Sequence, residues 1–113
     1  MGYDWIAGSV HGGSSSAHLD GTEKYHASGF SAADWHTYGM IWTKGQVQFY
    51  VDDPANVYAT FTPANFGSPW PFDAGPQFII LNLAIGGDWP GNPDATTAFP
   101  GDMQVDYVRL YTN

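Results

Sequence analysis

Residues 38–51 read YGMIWTKGQVQFYV, and this stretch decides the fold. Its apolar side chains recur at every second position on both sides of a short turn: Tyr38, Met40 and Trp42, then Val47, Phe49 and Val51. Alternation with a period of two is typical of a β-strand that buries one face. Gly45 lies in the turn and can adopt the positive φ that tight hairpins require. The stretch therefore predicts an antiparallel hairpin whose apolar face joins the core.

Further strand-like segments lie on both sides of this hairpin, at residues 5–11, 57–62, 78–85 and 103–111. The segment 78–85 is apolar apart from Asn82, which is typical of a strand covered on both faces. Residues 63–66 predict one helical turn, residues 12–16 a loop and residues 24–29 a short strand, and no segment repeats with the helical period. Six or seven short strands separated by turn residues predict an all-β fold, an antiparallel β-sandwich or jelly roll. The length predicts a single domain over residues 1–113.

Composition and charge narrow the classes of partner. The net charge is −8 with only three Lys and Arg residues, whereas aromatic residues make up 17% of the chain. Nucleic acid and anionic membrane surfaces are disfavoured, because both are bound through clustered cations. The chain has no cysteine, so disulfide and thiolate sites are excluded. A neutral, hydroxyl-rich ligand such as a glucan suits this composition better.

Four ordered blocks of sequence carry a resemblance to a known family. They read HTYGMIW at 36–42, VQFYVD at 47–52, LNLAIGGDWPG at 81–91 and VDYVRLY at 105–111, and VHGG at 10–13 precedes them. The chain resembles glycoside hydrolase family 16, in particular its laminarinase-like endo-β-1,3-glucanases. The resemblance covers the C-terminal half of that family's catalytic domain. It implies a concanavalin-like jelly roll with β-glucan lying across a concave sheet, retaining hydrolysis of β-1,3-glucosidic bonds, and secretion.

The resemblance also implies a chemical deficit. Retaining glycosidases need two carboxyl groups about 5 Å apart, and the family takes both from glutamates of one strand. This sequence holds one glutamate, Glu23, which we expect on a solvated turn. The chain alone is therefore expected to be inactive and to need the N-terminal half that carries the glutamate pair. The alternatives are a non-catalytic β-glucan-binding β-sandwich and a fragment without activity of its own.

Four residues are candidates for contacts with substrate. Alternation places Ser9 and His11 on one strand face, and the resemblance places that face in the cleft; a histidine satisfied within the sheet is the alternative for His11. Burying the Asn82 amide without partners is costly, so it either caps a neighbouring backbone or points into the cleft. Trp89 could stack on a pyranose ring or anchor its own loop.

Most of the remaining candidate residues are expected to stabilise the fold rather than to contact substrate. The resemblance implies that Asp106 ligates a structural calcium on the convex side, although the accompanying carbonyl ligands belong to the N-terminal half; the alternative is a surface aspartate paired with Lys24 or Arg109. We expect Trp42 in the core and His36 in a structural role. Trp5 and Trp70 could serve either stacking or packing.

A partial jelly roll leaves strand edges and one face of its core uncovered. The sequence therefore predicts association, either with the N-terminal half or with a second copy by strand exchange.

Overall fold

The computed structural model describes residues 4–112, and these fall into two units, one up to Pro76 and one from Gln77 onward. The first unit contains β1 (Ile6–Ser14), β2 (Ala17–Tyr25), β3 (Tyr38–Thr43), β4 (Gln46–Val51), β5 (Val57–Phe61) and the helical turn α1 (Pro63–Phe66). All strand pairs are antiparallel. The all-β antiparallel fold class predicted from the sequence is confirmed.

Strands β1 and β2 form a two-stranded sheet, and β3, β4 and β5 form a three-stranded sheet in that order. The predicted hairpin over residues 38–51 is confirmed, with Gly45 at φ 74° in its turn. The predicted helical turn at 63–66 is also confirmed. It begins after Thr62, whose backbone N–H donates to Asn65 Oδ1 at 2.7 Å.

The core lies where the two sheets of the first unit face each other. Its buried residues are Val10, Val47, Ala59, Phe61 and Phe66. Glycines on β1 and β2 allow the aromatic rings to approach: a Cβ on Gly21 would lie 2.6 Å from Phe61, and one on Gly8 would lie 2.7 Å from Phe49. Trp70 packs edge-on against Phe66, which settles its alternatives in favour of packing.

The structure corrects the prediction for residues 12–31. Strand β1 continues to Ser14, so the loop is shorter than expected, and the turn closes where the Ala17 N–H donates to Ser14 Oγ at 3.1 Å. Strand β2 occupies Ala17–Tyr25, which includes most of a stretch with little apolar pattern. Glu23 is exposed but lies inside β2, so its placement on a turn was wrong. Strand β2 forms because it is hydrogen-bonded to β1, and its mostly polar sequence does not indicate that pairing.

Only half of the predicted apolar hairpin face is covered. Val47 and Val51 of β4 are buried, whereas Met40 and Trp42 of β3 are 54% and 40% exposed. Strand β3 is the edge of its sheet, because its only ladder partner among residues 4–112 is β4. The expectation that Trp42 belongs to the core was therefore wrong in this structure.

The second unit is built differently. Among residues 77–112 no helix or strand forms, so the strands predicted at 78–85 and 103–111 are not found. Their apolar side chains are exposed, Phe78 to 82% and Leu110 to 81%. Local turns order the connecting segment: Gly91 N–H donates to Gly87 O, and Thr97 N–H donates to Asp94 O. A strand exists only with a hydrogen-bonded neighbour, and these segments have none among the described residues.

Candidate functional site

The β1–β2 hairpin has one apolar and one polar face. The cross-strand pairs Ser9–Thr22 and His11–Asp20 fix the register, and His18 lies two residues before Asp20. Side chains alternate along each strand, so Ser9, His11, His18, Asp20 and Thr22 share a face. Val10 and Leu19 point to the opposite side and pack in the core. We call the first set the polar face.

Ser9 and Thr22 form the middle of the polar face. Their hydroxyl oxygens lie 2.9 Å apart across the strands, within the range of an O–H···O hydrogen bond. Each hydroxyl keeps a further lone pair, so the pair can still accept from or donate to a ligand. The predicted placement of Ser9 and His11 on one strand face is confirmed.

His11 lies next to His18. His11 Nδ1 and His18 Nε2 are 3.4 Å apart, and the two rings stack with an interplanar angle of 22°. Both side chains are exposed. His11 is therefore not enclosed within the sheet, and its exposed ring can reach a ligand.

One end of the polar face carries an aromatic ring. Lys24 lies on β2 opposite Ala7, and its Nζ sits 4.3 Å from the centre of the Trp5 ring. This is cation–π distance. Because Trp5 is half-buried, it presents a partly covered aromatic surface beside the row of hydroxyl and imidazole groups.

His36 has a structural role, as predicted. Its Nδ1–H donates to Asp52 Oδ2 at 2.9 Å and its Nε2–H donates to the Ser31 carbonyl at 3.1 Å. Both nitrogens face acceptors, so the imidazolium form satisfies the site best. The hydrogen bond to Asp52 raises the pKa of His36, and the same bond lowers the pKa of Asp52. This pair ties the entrance of β3 to the turn after β4, where Asp52 adopts φ 64°.

The other predicted site residues lie in the second unit. Asn82 is exposed on a segment without regular structure, and Trp89 is 71% exposed in a loop. Asn82 is thus not the buried amide that the apolar run suggested. The roles of both residues in binding stay predictions.

Asp106 does not form a calcium site by itself. It is exposed, and residues 4–112 contain no group of three His, Cys, Asp or Glu side chains arranged to hold a metal. Calcium takes six to eight oxygen ligands, which one carboxylate does not supply. The structural calcium therefore stays a prediction.

Sequence reasoning missed His18, Asp20 and Thr22. Their signal was present, since polar residues occupy every second position from His18 to Lys24. The intervening positions include Gly21 and the exposed Glu23, so no apolar stripe marked the strand.

Comparison with known proteins agrees with the all-β fold. The sequence profile of the glycosyl hydrolases family 16 matches residues 3–109. The chain belongs to that family. No solved structure matches this family-16 chain significantly.

Curated relatives include enzymes and a binding protein. A beta-glucanase of Rhodothermus marinus is 35% identical over 96% of this chain and 40% of its own length. Glucan endo-1,3-beta-glucosidase A1 of Niallia circulans is 38% identical over 71% of this chain and 12% of its own. Beta-1,3-glucan-binding protein of Penaeus monodon is 33% identical over 69% of this chain and 27% of its own. The family-16 chain thus spans well under half the length of these relatives.

Proposed function

We propose that this chain supplies part of the substrate-binding surface of a β-glucan endohydrolase, with the polar face of β1–β2 as the surface that contacts the glucan. The observation that best supports this proposal is that Ser9, His11 and Thr22 lie on one exposed face of the β1–β2 hairpin. The family-16 membership and the beta-glucanase relative support a β-glucan as ligand.

The chemistry of the polar face suits a neutral sugar. Hydroxyl, imidazole and carboxylate groups offer both donors and acceptors to sugar hydroxyls. Trp5 adds an aromatic surface of the kind that stacks on the C–H face of a pyranose. Trp89 and Asn82 are further candidates for contacts with the same polysaccharide. The net charge of −8 favours an uncharged glucan over a polyanion.

The carboxylates of this chain do not reproduce the chemistry of retaining hydrolysis. Glu23 pairs with Gly8 across the strands, on the face opposite Ser9 and His11. Asp20 is the one carboxylate of the polar face, whereas a retaining mechanism needs two about 5 Å apart. The proposal therefore assigns glucan binding to this chain and assigns bond cleavage to carboxylates from another polypeptide segment. The active assembly is proposed to be secreted.

A second candidate function is glucan binding without hydrolysis. The similarity to beta-1,3-glucan-binding protein of Penaeus monodon supports it. Both functions use the same polar face and differ only in whether a catalytic pair is added.

Calorimetric titration with laminarin oligosaccharides tests the binding surface. We expect His11→Ala and Ser9→Ala each to weaken binding about tenfold, since each removes a hydrogen-bonding group worth about 1–1.5 kcal/mol. Glu23→Gln on the opposite face is the matched control and should bind as the parent chain does. Equal affinity of all four proteins would place the ligand elsewhere.

Release of reducing sugar separates the two candidate functions. The chain alone should release none from laminarin. The same assay with the N-terminal half of the family-16 catalytic domain added in trans should show hydrolysis for the enzyme and none for the binding protein. Hydrolysis by the chain alone at an enzymatic rate would refute the assignment of cleavage to another segment.

A further inference from the structure

The pair His11 and His18 has a geometry that sugar binding does not require. The two residues lie on neighbouring strands at diagonal positions, because His11 faces Asp20 and His18 faces Gly13. The hairpin backbone thus holds two imidazoles together on an exposed surface.

The distance between the nitrogens shows that the two imidazoles can reach one small ligand. His11 Nδ1 and His18 Nε2 are 3.4 Å apart. This distance allows a long hydrogen bond between the two rings, longer than the distance of about 2.7–3.2 Å that is typical of N–H···O bonds. Two nitrogens that each bind a zinc ion at about 2.0–2.1 Å with a tetrahedral angle lie about 3.3–3.4 Å apart. The pair is therefore spaced as two ligands of one tetrahedral metal.

We propose that His11 and His18 form a binding site for a divalent transition metal of the zinc class. Imidazole nitrogens are preferred ligands of Zn²⁺, Ni²⁺ and Cu²⁺, whereas Ca²⁺ and Mg²⁺ prefer oxygen. No third His, Cys, Asp or Glu of residues 4–112 completes a cluster. Water fills the remaining positions, so the site has two protein ligands and is solvent-accessible.

The exposure of both rings makes the site adaptable. His11 and His18 are exposed, so their χ angles can turn until both lone pairs point at one ion without disturbing the core. The site does not depend on the proposed glucan binding, although the two share His11.

Calorimetric titration of ZnCl₂ into the chain at pH 7.5, in a buffer that does not chelate metals, tests the proposal. We expect one saturable site per chain, and His11→Gln and His18→Gln should each weaken it at least about tenfold. His26→Gln is the matched control: His26 is an exposed histidine whose Nε2 lies 3.4 Å from the Asp4 carboxylate. This variant should bind Zn²⁺ as the parent chain does.

Two further measurements distinguish a specific site at His11 and His18 from unspecific attraction of cations. Mg²⁺ in place of Zn²⁺ reports the unspecific attraction of the acidic surface and should show no saturable site. Paramagnetic Ni²⁺ should broaden the NMR signals of the His11 and His18 rings at lower concentration than those of His26 and His36. Unchanged Zn²⁺ affinity in both His11→Gln and His18→Gln, with far-UV circular dichroism showing a folded chain, would overturn the proposal.

Discussion

The hairpins of the first unit and the chain from Gln77 onward both carry apolar residues in strand-like patterns, yet only the hairpins form sheets. Each strand of the first unit finds its partner across a short connection, as β3 finds β4 across two residues. Residues 78–85 and 103–111 would pair with each other only across a long connection, and they have no ladder among residues 4–112. Closing a long loop costs entropy before any contact compensates it.

The difference teaches that apolar pattern and strand formation are separate properties. In the first unit the apolar pattern coincides with side chains that are buried in the core, such as Val47 and Phe61. In the second it leaves large apolar side chains exposed, including Ile80, Leu83 and Val108. Exposed apolar surface of this kind marks an interaction site. We therefore predict that the strand-like pattern of the second unit forms strands only when a partner covers it.

The largest expected effect is on stability, and it separates the two regions. Phe61 is 4% exposed and packs edge-on against Phe49. Phe61→Ala should lower the free energy of unfolding by about 3–5 kcal/mol, because it leaves a cavity between the sheets. Leu110→Ala in the second unit should change it by less than about 0.5 kcal/mol. Urea unfolding followed by circular dichroism measures both, and a large loss for Leu110→Ala would show that the second unit has a core.

Association is the next effect, and it concerns the second unit. We predict that the chain self-associates at micromolar concentration, or binds the N-terminal half of its family's domain where that is present, since strand edges and apolar side chains are uncovered. Sedimentation velocity over a range of concentrations measures the self-association. Ile80→Lys and Val108→Lys should each shift the distribution toward monomer, whereas Lys44→Gln in the turn of the first unit should not. A compact monomer at every concentration would contradict the prediction.

Much of the first unit could be predicted from the sequence, and the reason is local. The hairpin over 38–51 has both its strands and its turn within one short stretch, so alternation and Gly45 suffice to fix the register. The common face of Ser9 and His11 followed from alternation within a single strand. Fold class followed from the same signals and from the resemblance to the family.

The structure of β2 and of residues 78–85 could not be predicted from the sequence, because it depends on which neighbouring strands are present. Strand β2 pairs through a register that starts at Ser14 and Ala17, and its outward residues are polar, so His18 was not seen beside His11. For residues 78–85 the pattern identified apolar side chains but not what covers them. Periodicity reports the chemistry of a face and carries no information on whether a neighbouring strand is present.

The smallest expected effect is the pH dependence of the His36–Asp52 pair, which belongs to the ordered region. The pKa of His36 is raised above 6.5, so its stabilisation is complete below pH 6.5 and is lost as the pH rises through the raised value. The pKa of Asp52 is lowered below 3.8, so its stabilisation is complete above pH 3.8 and is lost as the pH falls through the lowered value. The contribution of the pair should therefore be greatest between these two limits.

Thermal melts from pH 3 to pH 8 test this window. Asp52→Asn keeps a residue that tolerates the positive φ of 64° but removes the charge. Its loss of stability relative to the parent chain should be largest between about pH 4 and pH 6.5 and should shrink toward both ends, because one partner is then uncharged in the parent as well. His26→Gln removes an exposed contact with Asp4 and should show little loss at any pH. A loss for Asp52→Asn that is the same at pH 5 and pH 8 would contradict a contribution from the charge of His36, since the Asn Oδ1 can still accept from the Thr37 N–H.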